Sequence, residues 1–125
     1  MAEEKKGCAC ENGVTLIFPC SGAADVGEIS DRAARRMTST GIGKMFCLAG
    51  IGGNISGMIE SAKGADKVLA IDGCALDCAR KTLEEKSIEG FSHLRVTDTG
   101  LEKGKSPATD QHVAAVVEAG RRLLN

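Results

Sequence analysis

Short apolar runs alternate with longer amphipathic ones from Gly13 onward, and this alternation predicts the elements. Val14 to Phe18 reads as a strand that ends at Pro19, because proline cannot donate to a sheet ladder. A helix is expected to open near Asp25, which with Glu28 has the spacing of a capping box. Val26, Ile29, Ala33 and Met37 fall on one side of it and predict the buried stripe. Met45 to Ala49 is the second expected strand, followed by a glycine-rich turn at Gly50, Gly52 and Gly53. Asn54 then caps a short helix whose apolar side is Ile55, Met58, Ile59 and Ala62.

Val68 to Ile71 predicts a third strand that continues into Asp72-Gly73-Cys74. A helix is expected over about 75–86, with Leu76, Ala79 and Leu83 turned inward. His93 to Val96 reads as a fourth strand, and Thr97 to Lys105 as a polar loop. Ser106 before Pro107 reads as the start of a last helix whose inner face carries Val113, Val116, Val117 and Leu124. Strand and helix alternate four times. The expected fold is therefore α/β in three layers: a four-stranded, mostly parallel sheet in the order 2-1-3-4 with helices on both faces. The 125 residues suit a single domain over 13–125, preceded by a polar, flexible segment over 1–12.

Composition narrows the function. Sixteen basic and seventeen acidic side chains leave a net charge of −1, which argues against nucleic acid or an anionic membrane surface as the main partner. Three phenylalanines, with no Trp or Tyr, give little platform for stacking bases. The stretch Met1 to Lys6 is charged and has no apolar run behind it, so the expected address is the cytoplasm. Six cysteines in a reducing compartment point to metal or redox chemistry rather than to disulfides.

Cys20, Cys47 and Cys74 are each 27 residues from the next, about one strand–helix unit. In the order 2-1-3 they would stand near the carboxyl ends of three neighbouring strands, the edge where open α/β sheets bind ligands. Cys78, four residues after Cys74, would share a helix face with it. Four converging thiolates suit tetrahedral zinc. The same set also allows a thiol redox protein using Cys20, Cys74 and Cys78, or an iron–sulfur electron carrier. Cys47, between Phe46 and Leu48, equally reads as a core residue, and Cys8 and Cys10 carry no assigned role.

The segments Pro19-Cys20-Ser21-Gly22, Met45 to Gly52, Ile71-Asp72-Gly73-Cys74 and Asp77-Cys78-Ala79-Arg80 together resemble the DGC-domain family of zinc-binding proteins, named for its central Asp-Gly-Cys. The likeness runs from about Val14 through Val96. It implies zinc held by Cys20, Cys47, Cys74 and Cys78, and it assigns nothing to Cys8 or Cys10.

Other chemistry is thinner. Gly50, Gly52, Gly53 and Asn54 link a strand to a helix as anion-binding loops do, yet they match neither the dinucleotide nor the P-loop pattern, and a tight turn explains them. Asp72 is expected to accept backbone amides at a strand end, Asp25 to cap its helix, and Ser21 to cap or to donate to sulfur. His93 and His112 read as structural or surface residues. Neither serine nor cysteine has an obvious histidine partner, so no complete catalytic constellation emerges.

Overall fold

The computed structural model describes residues 13–125. The segment 1–12, with Cys8 and Cys10, lies outside the described residues.

Four parallel strands form one sheet in the order β2-β1-β3-β4, as the alternation of elements predicts. They are β1 (Thr15–Pro19), β2 (Lys44–Met45), β3 (Lys67–Asp72) and β4 (Ser92–Arg95). The central pair, β1 and β3, is apolar along nearly its whole length because both sheet faces are covered. Leu16, Phe18, Val68 and Ala70 point to one face, and Ile17, Leu69 and Ile71 to the other.

Helices α1 (Asp25–Ser39) and α5 (Asp110–Leu124) pack on the Ile17 face and on each other. The expected stripe Val26, Ile29, Ala33 and Met37 is fully buried there, with Val113, Val116 and Leu124 opposite. Helices α2 (Leu48–Gly52), α3 (Ser56–Gly64) and α4 (Cys78–Glu85) cover the Phe18 face through Ile51, Ile59, Ala62, Ala79 and Leu83. Three layers result. The chain leaves β1 toward β2 on one side, while β3 and β4 extend the sheet on the other. The gap between the carboxyl ends of β1 and β3 is thus the topological switch point, where doubly wound sheets place ligands. No helix among the described residues is long and apolar enough to cross a membrane.

Several local expectations are corrected. Asp25 is the first helical residue rather than a cap: Ala24 precedes the helix, and no side chain caps it. The Asp25 carboxylate instead accepts the amides of Val26, Gly104 and Ser106, tying the 100–106 segment to the start of α1. The second strand stops at Met45. Phe46 gives its amide to Ile17, 2.8 Å, and the chain turns at once into α2, so Cys47 stands just before a helix start, with no side-chain capping bond, instead of lying within a strand. Gly50 and Gly52 are helical, not a turn.

Asn54 is left-handed (φ 66°), and the residue before α3 is Ile55. Between β3 and α4 the chain is not helical until Cys78, and Leu76 faces solvent, 61% exposed, rather than the core. Val96 leaves β4 for a 3₁₀ turn over Val96–Thr99. The last helix starts after Thr109, whose side chain accepts the His112 amide, and not at Ser106-Pro107.

Candidate functional site

The three residues Asp72-Gly73-Cys74 end β3, and each has a separate physical task. Asp72 is 1% exposed and its carboxylate spans the start of α4: one oxygen accepts the Ala79 amide at 2.6 Å, the other the Arg80 amide at 3.0 Å. Those are amides a helix N-terminus leaves without intrahelical partners, and their partial positive charge favours an anion. The expectation that Asp72 accepts backbone amides holds in this form. His93 on β4 donates its Nε2–H to the same carboxylate at 2.9 Å.

Gly73 is small because α1 is close. A Cβ placed there would stand 2.9 Å from the Val26 carbonyl carbon and 3.0 Å from the Gly27 nitrogen. Gly27 in turn rests on Gly22, whose carbonyl oxygen would lie 2.5 Å from a Cβ at position 27. Three backbones meet with no side chain between them. The loop after β1, which carries Cys20, is thereby drawn against the loop after β3, which carries Cys74.

Cys20 sits at the end of β1, its amide bonded to Ile71 across the sheet. Its sulfur lies 3.3 Å from the hydroxyl of Ser30, a fully buried residue that itself donates to the Gly27 carbonyl. Cys20, Cys74 and Cys78 line one cleft of about 270 Å3, together with Gly22, Asp72 and Lys103. The Lys103 ammonium reaches the Cys74 sulfur at 3.7 Å. Lys103 is carried by the segment that Asp25 anchors, where Glu102 also gives its amide to the buried Ser106 hydroxyl. Cys47 is exposed and lines a neighbouring cleft of about 540 Å3 with Cys20, Ser21, Asp31 and Arg35. Cys20 therefore borders both clefts.

Cys20, Cys47 and Cys74 follow the carboxyl ends of β1, β2 and β3, and Cys78 opens α4, but among the described residues no three of these sulfurs lie within 4.8 Å of one another. Cys78 and Cys74 do not share a helix face, since Cys74 precedes the helix. Among the described residues, the group of three potential ligands that does meet that distance is Asp72, Asp77 and His93. Asp77 is 2% exposed, with its carboxylate held by Arg95 at 2.6 and 3.0 Å and by Arg80 at 2.8 Å. The bonds from Arg95 hold the Asp77 carboxyl below the usual carboxylate range and push the Arg95 guanidinium up. Two guanidinium groups supply the positive charge that a cation would bring, so this group works as a closed ion-pair network. Asp77 is also left-handed (φ 54°, ψ 46°), a conformation costing a residue other than glycine about 1–2 kcal/mol.

The amides of Gly50, Gly53 and Asn54 are bonded to the carbonyls of Cys47, Ala49 and Ile51, so these amides are already engaged within the chain. Ser21 donates its hydroxyl to Asp31 at 2.7 Å rather than to a sulfur. The sequence reads His93 as a structural or surface residue and assigns no site role to Arg95, Asp77, Arg80 or Lys103. His93 and Arg95, two residues apart, face one side of β4 toward the end of β3, and that period-two pair of polar residues in a predicted strand was the available signal.

Comparisons with known proteins agree with this picture. The family model for the DGC domain matches residues 16–119. The anaerobic and virulence modulator AnvM of Pseudomonas aeruginosa is 29% identical over 93 residues, covering 74% of this chain and 71% of that protein. No solved structure gives a significant match. With the Asp-Gly-Cys turn at the centre of the site and the model spanning most of the chain, the protein belongs to the DGC-domain family, a family associated with metal binding.

Proposed function

We propose that the protein binds a metal ion, zinc, through the thiolates of Cys20, Cys74 and Cys78 in the cleft between the ends of β1 and β3, with Cys47 as the fourth sulfur. The observation that carries this reading is the shared cleft: Cys20, Cys74 and Cys78, from two strand ends and one helix start, line one small space at the switch point of the sheet. The donor set fits the ion, because soft thiolates are strong zinc ligands and three or four of them are at hand. The Lys103 ammonium lines the same cleft and stands 3.7 Å from the Cys74 sulfur. Cys47 enters from the neighbouring cleft that it shares with Cys20.

When bound, zinc in an all-sulfur shell would cross-link the ends of β1 and β3 with the start of α4. The residues around it hold and orient: Ser30 fixes the Cys20 thiol, Asp72 fixes the turn into α4, and Lys103 faces Cys74. The site reads as a binding centre rather than a centre of turnover, acting in a reducing, cytoplasmic setting. The name of the Pseudomonas relative, a modulator, is in keeping with that. The contact of Lys103 with Cys74 favours a second reading, a thiol–disulfide exchange protein. There the Cys74 thiolate attacks a substrate disulfide and releases one of its sulfurs as a thiolate. Cys20 or Cys78 then attacks the mixed disulfide, releasing the second substrate thiolate and leaving an intramolecular disulfide.

Metal analysis of protein purified without oxygen or chelator separates the readings. One zinc per chain, lost in Cys74→Ser, is the expected result. Metal-free protein that forms a reversible Cys20–Cys74 or Cys74–Cys78 disulfide would overturn it in favour of redox chemistry, and brown protein containing iron would overturn it in favour of a cluster.

A further inference from the structure

The turn between Cys74 and Cys78 is held from behind by charge. Asp77 lies one residue before Cys78 and donates its amide to the Cys74 carbonyl at 3.1 Å, closing a short turn that starts at one thiol and hands on to the next. Its backbone is left-handed, a conformation that glycine adopts freely and aspartate does not. Yet its side chain is buried and makes three bonds to guanidinium groups, two from Arg95 on β4 and one from Arg80 on α4, with His93 3.6 Å away. Arg95 also faces Asp98 in the 3₁₀ turn at 3.6 Å. The Asp77 carboxylate thus ties the thiol-bearing turn to the neighbouring strand and to the following helix at once.

We infer that Asp77, clamped by Arg95, is a positioning residue: it fixes the turn so that Cys74 and Cys78 open into the cleft that Cys20 lines. The role in metal binding rests on the thiol–zinc reading above; the positioning itself does not. A residue needed only for its backbone would be replaced by glycine without loss, whereas a residue needed for its carboxylate would not. With the clamp gone, Cys74 loses its fixed, half-buried place and the paired thiols lose their common direction.

The test uses the full chain, reduced and freed of metal, in three forms: wild type, Asp77→Gly and Arg95→Met. Alkylation of Cys74 by iodoacetamide is followed by peptide mass spectrometry, with Cys47 in the same chain as the reference. The Cys74-to-Cys47 rate ratio is expected to rise at least threefold in both variants while their circular dichroism stays native. Cobalt titration of the same samples should show affinity at least tenfold weaker and an altered thiolate-to-cobalt absorption band. A purely structural residue would lower the melting temperature and leave ratio and band in place; ratios within twofold of wild type in the folded variants overturn the inference. If Asp77→Gly or Arg95→Met does not fold, Arg95→Lys, which keeps the charge but cannot make two parallel bonds, gives the same reading. Wild-type protein whose thiols take no cobalt would refute the metal reading alone, because the alkylation ratio is measured without metal.

Discussion

Replacing Asp72 by alanine removes one side chain that satisfies three donors, and the structure sets the size of the effect. The carboxylate is buried and accepts two amides at the start of α4 and the His93 ring N–H. Loss of a helix cap of this kind costs about 1–2 kcal/mol. The Ala79 amide, buried beside it, would be left without a partner, which adds about 1–3 kcal/mol. His93 is partly exposed and can turn to water, so its share is small. The sum is about 3 kcal/mol, a large part of the roughly 5–15 kcal/mol that stabilises a domain.

Urea unfolding of the reduced, chelated protein measures this directly. At about 1–3 kcal/mol per molar the midpoint should fall by roughly 1–3 M with the slope unchanged. Asp72→Asn keeps one oxygen that can accept the Ala79 amide and should cost about half as much. A loss below about 1 kcal/mol in Asp72→Ala would refute the view that this aspartate holds the helix start.

Other predictions follow from the same packing and charges. Gly73→Ala should destabilise by about 1–3 kcal/mol, since its Cβ meets α1 backbone that cannot yield cheaply, whereas Gly57→Ala, which meets open space in α3, should stabilise by about 0.5–1 kcal/mol; thermal melts report both. Asp25 is held below the ordinary carboxylate range by the amides of Gly104 first, then Ser106. Because its folded value lies below its unfolded one, its contribution is complete above the ordinary carboxylate range and is lost as pH falls through the folded value. Asp25→Asn should therefore flatten the acid limb of stability measured between about pH 3 and 6. Cys47→Ser should weaken zinc binding less than Cys74→Ser, as Cys47 alone comes from the second cleft, in a competition assay with a chromogenic chelator.

The sheet order and both helical layers were legible because they rest on periodicity: the buried strands β1 and β3 are almost continuously apolar, and Val26, Ile29, Ala33 and Met37 recur at helical spacing. Boundaries failed where a local signal was outvoted by a distant partner. Residues 75–77 resemble a helix start, but Asp72 caps the amides of Ala79 and Arg80, and left-handed Asp77 bars helix before Cys78. Asp25 resembles a cap, but its carboxylate is taken by amides some eighty residues further on. The run from Met45 to Ala49 is apolar enough for a buried strand, and short apolar runs do not separate strand from helix.

At the site, repetition at one strand–helix interval placed the cysteines on the right edge of the sheet. It could not tell that Cys47 opens into a different cleft from Cys74 and Cys78. Of the network of Asp72, Asp77, His93, Arg80 and Arg95, the sequence offers only the period-two pair on β4; the partners that pair meets are set by the strand pairing across the sheet.

X-ray absorption at the zinc edge of the loaded protein puts the central claim to the most direct test. The account predicts a shell of three or four sulfurs at about 2.3 Å. A shell of oxygen and nitrogen at about 2.0–2.2 Å would place the ion at Asp72, Asp77 and His93 instead and would contradict it.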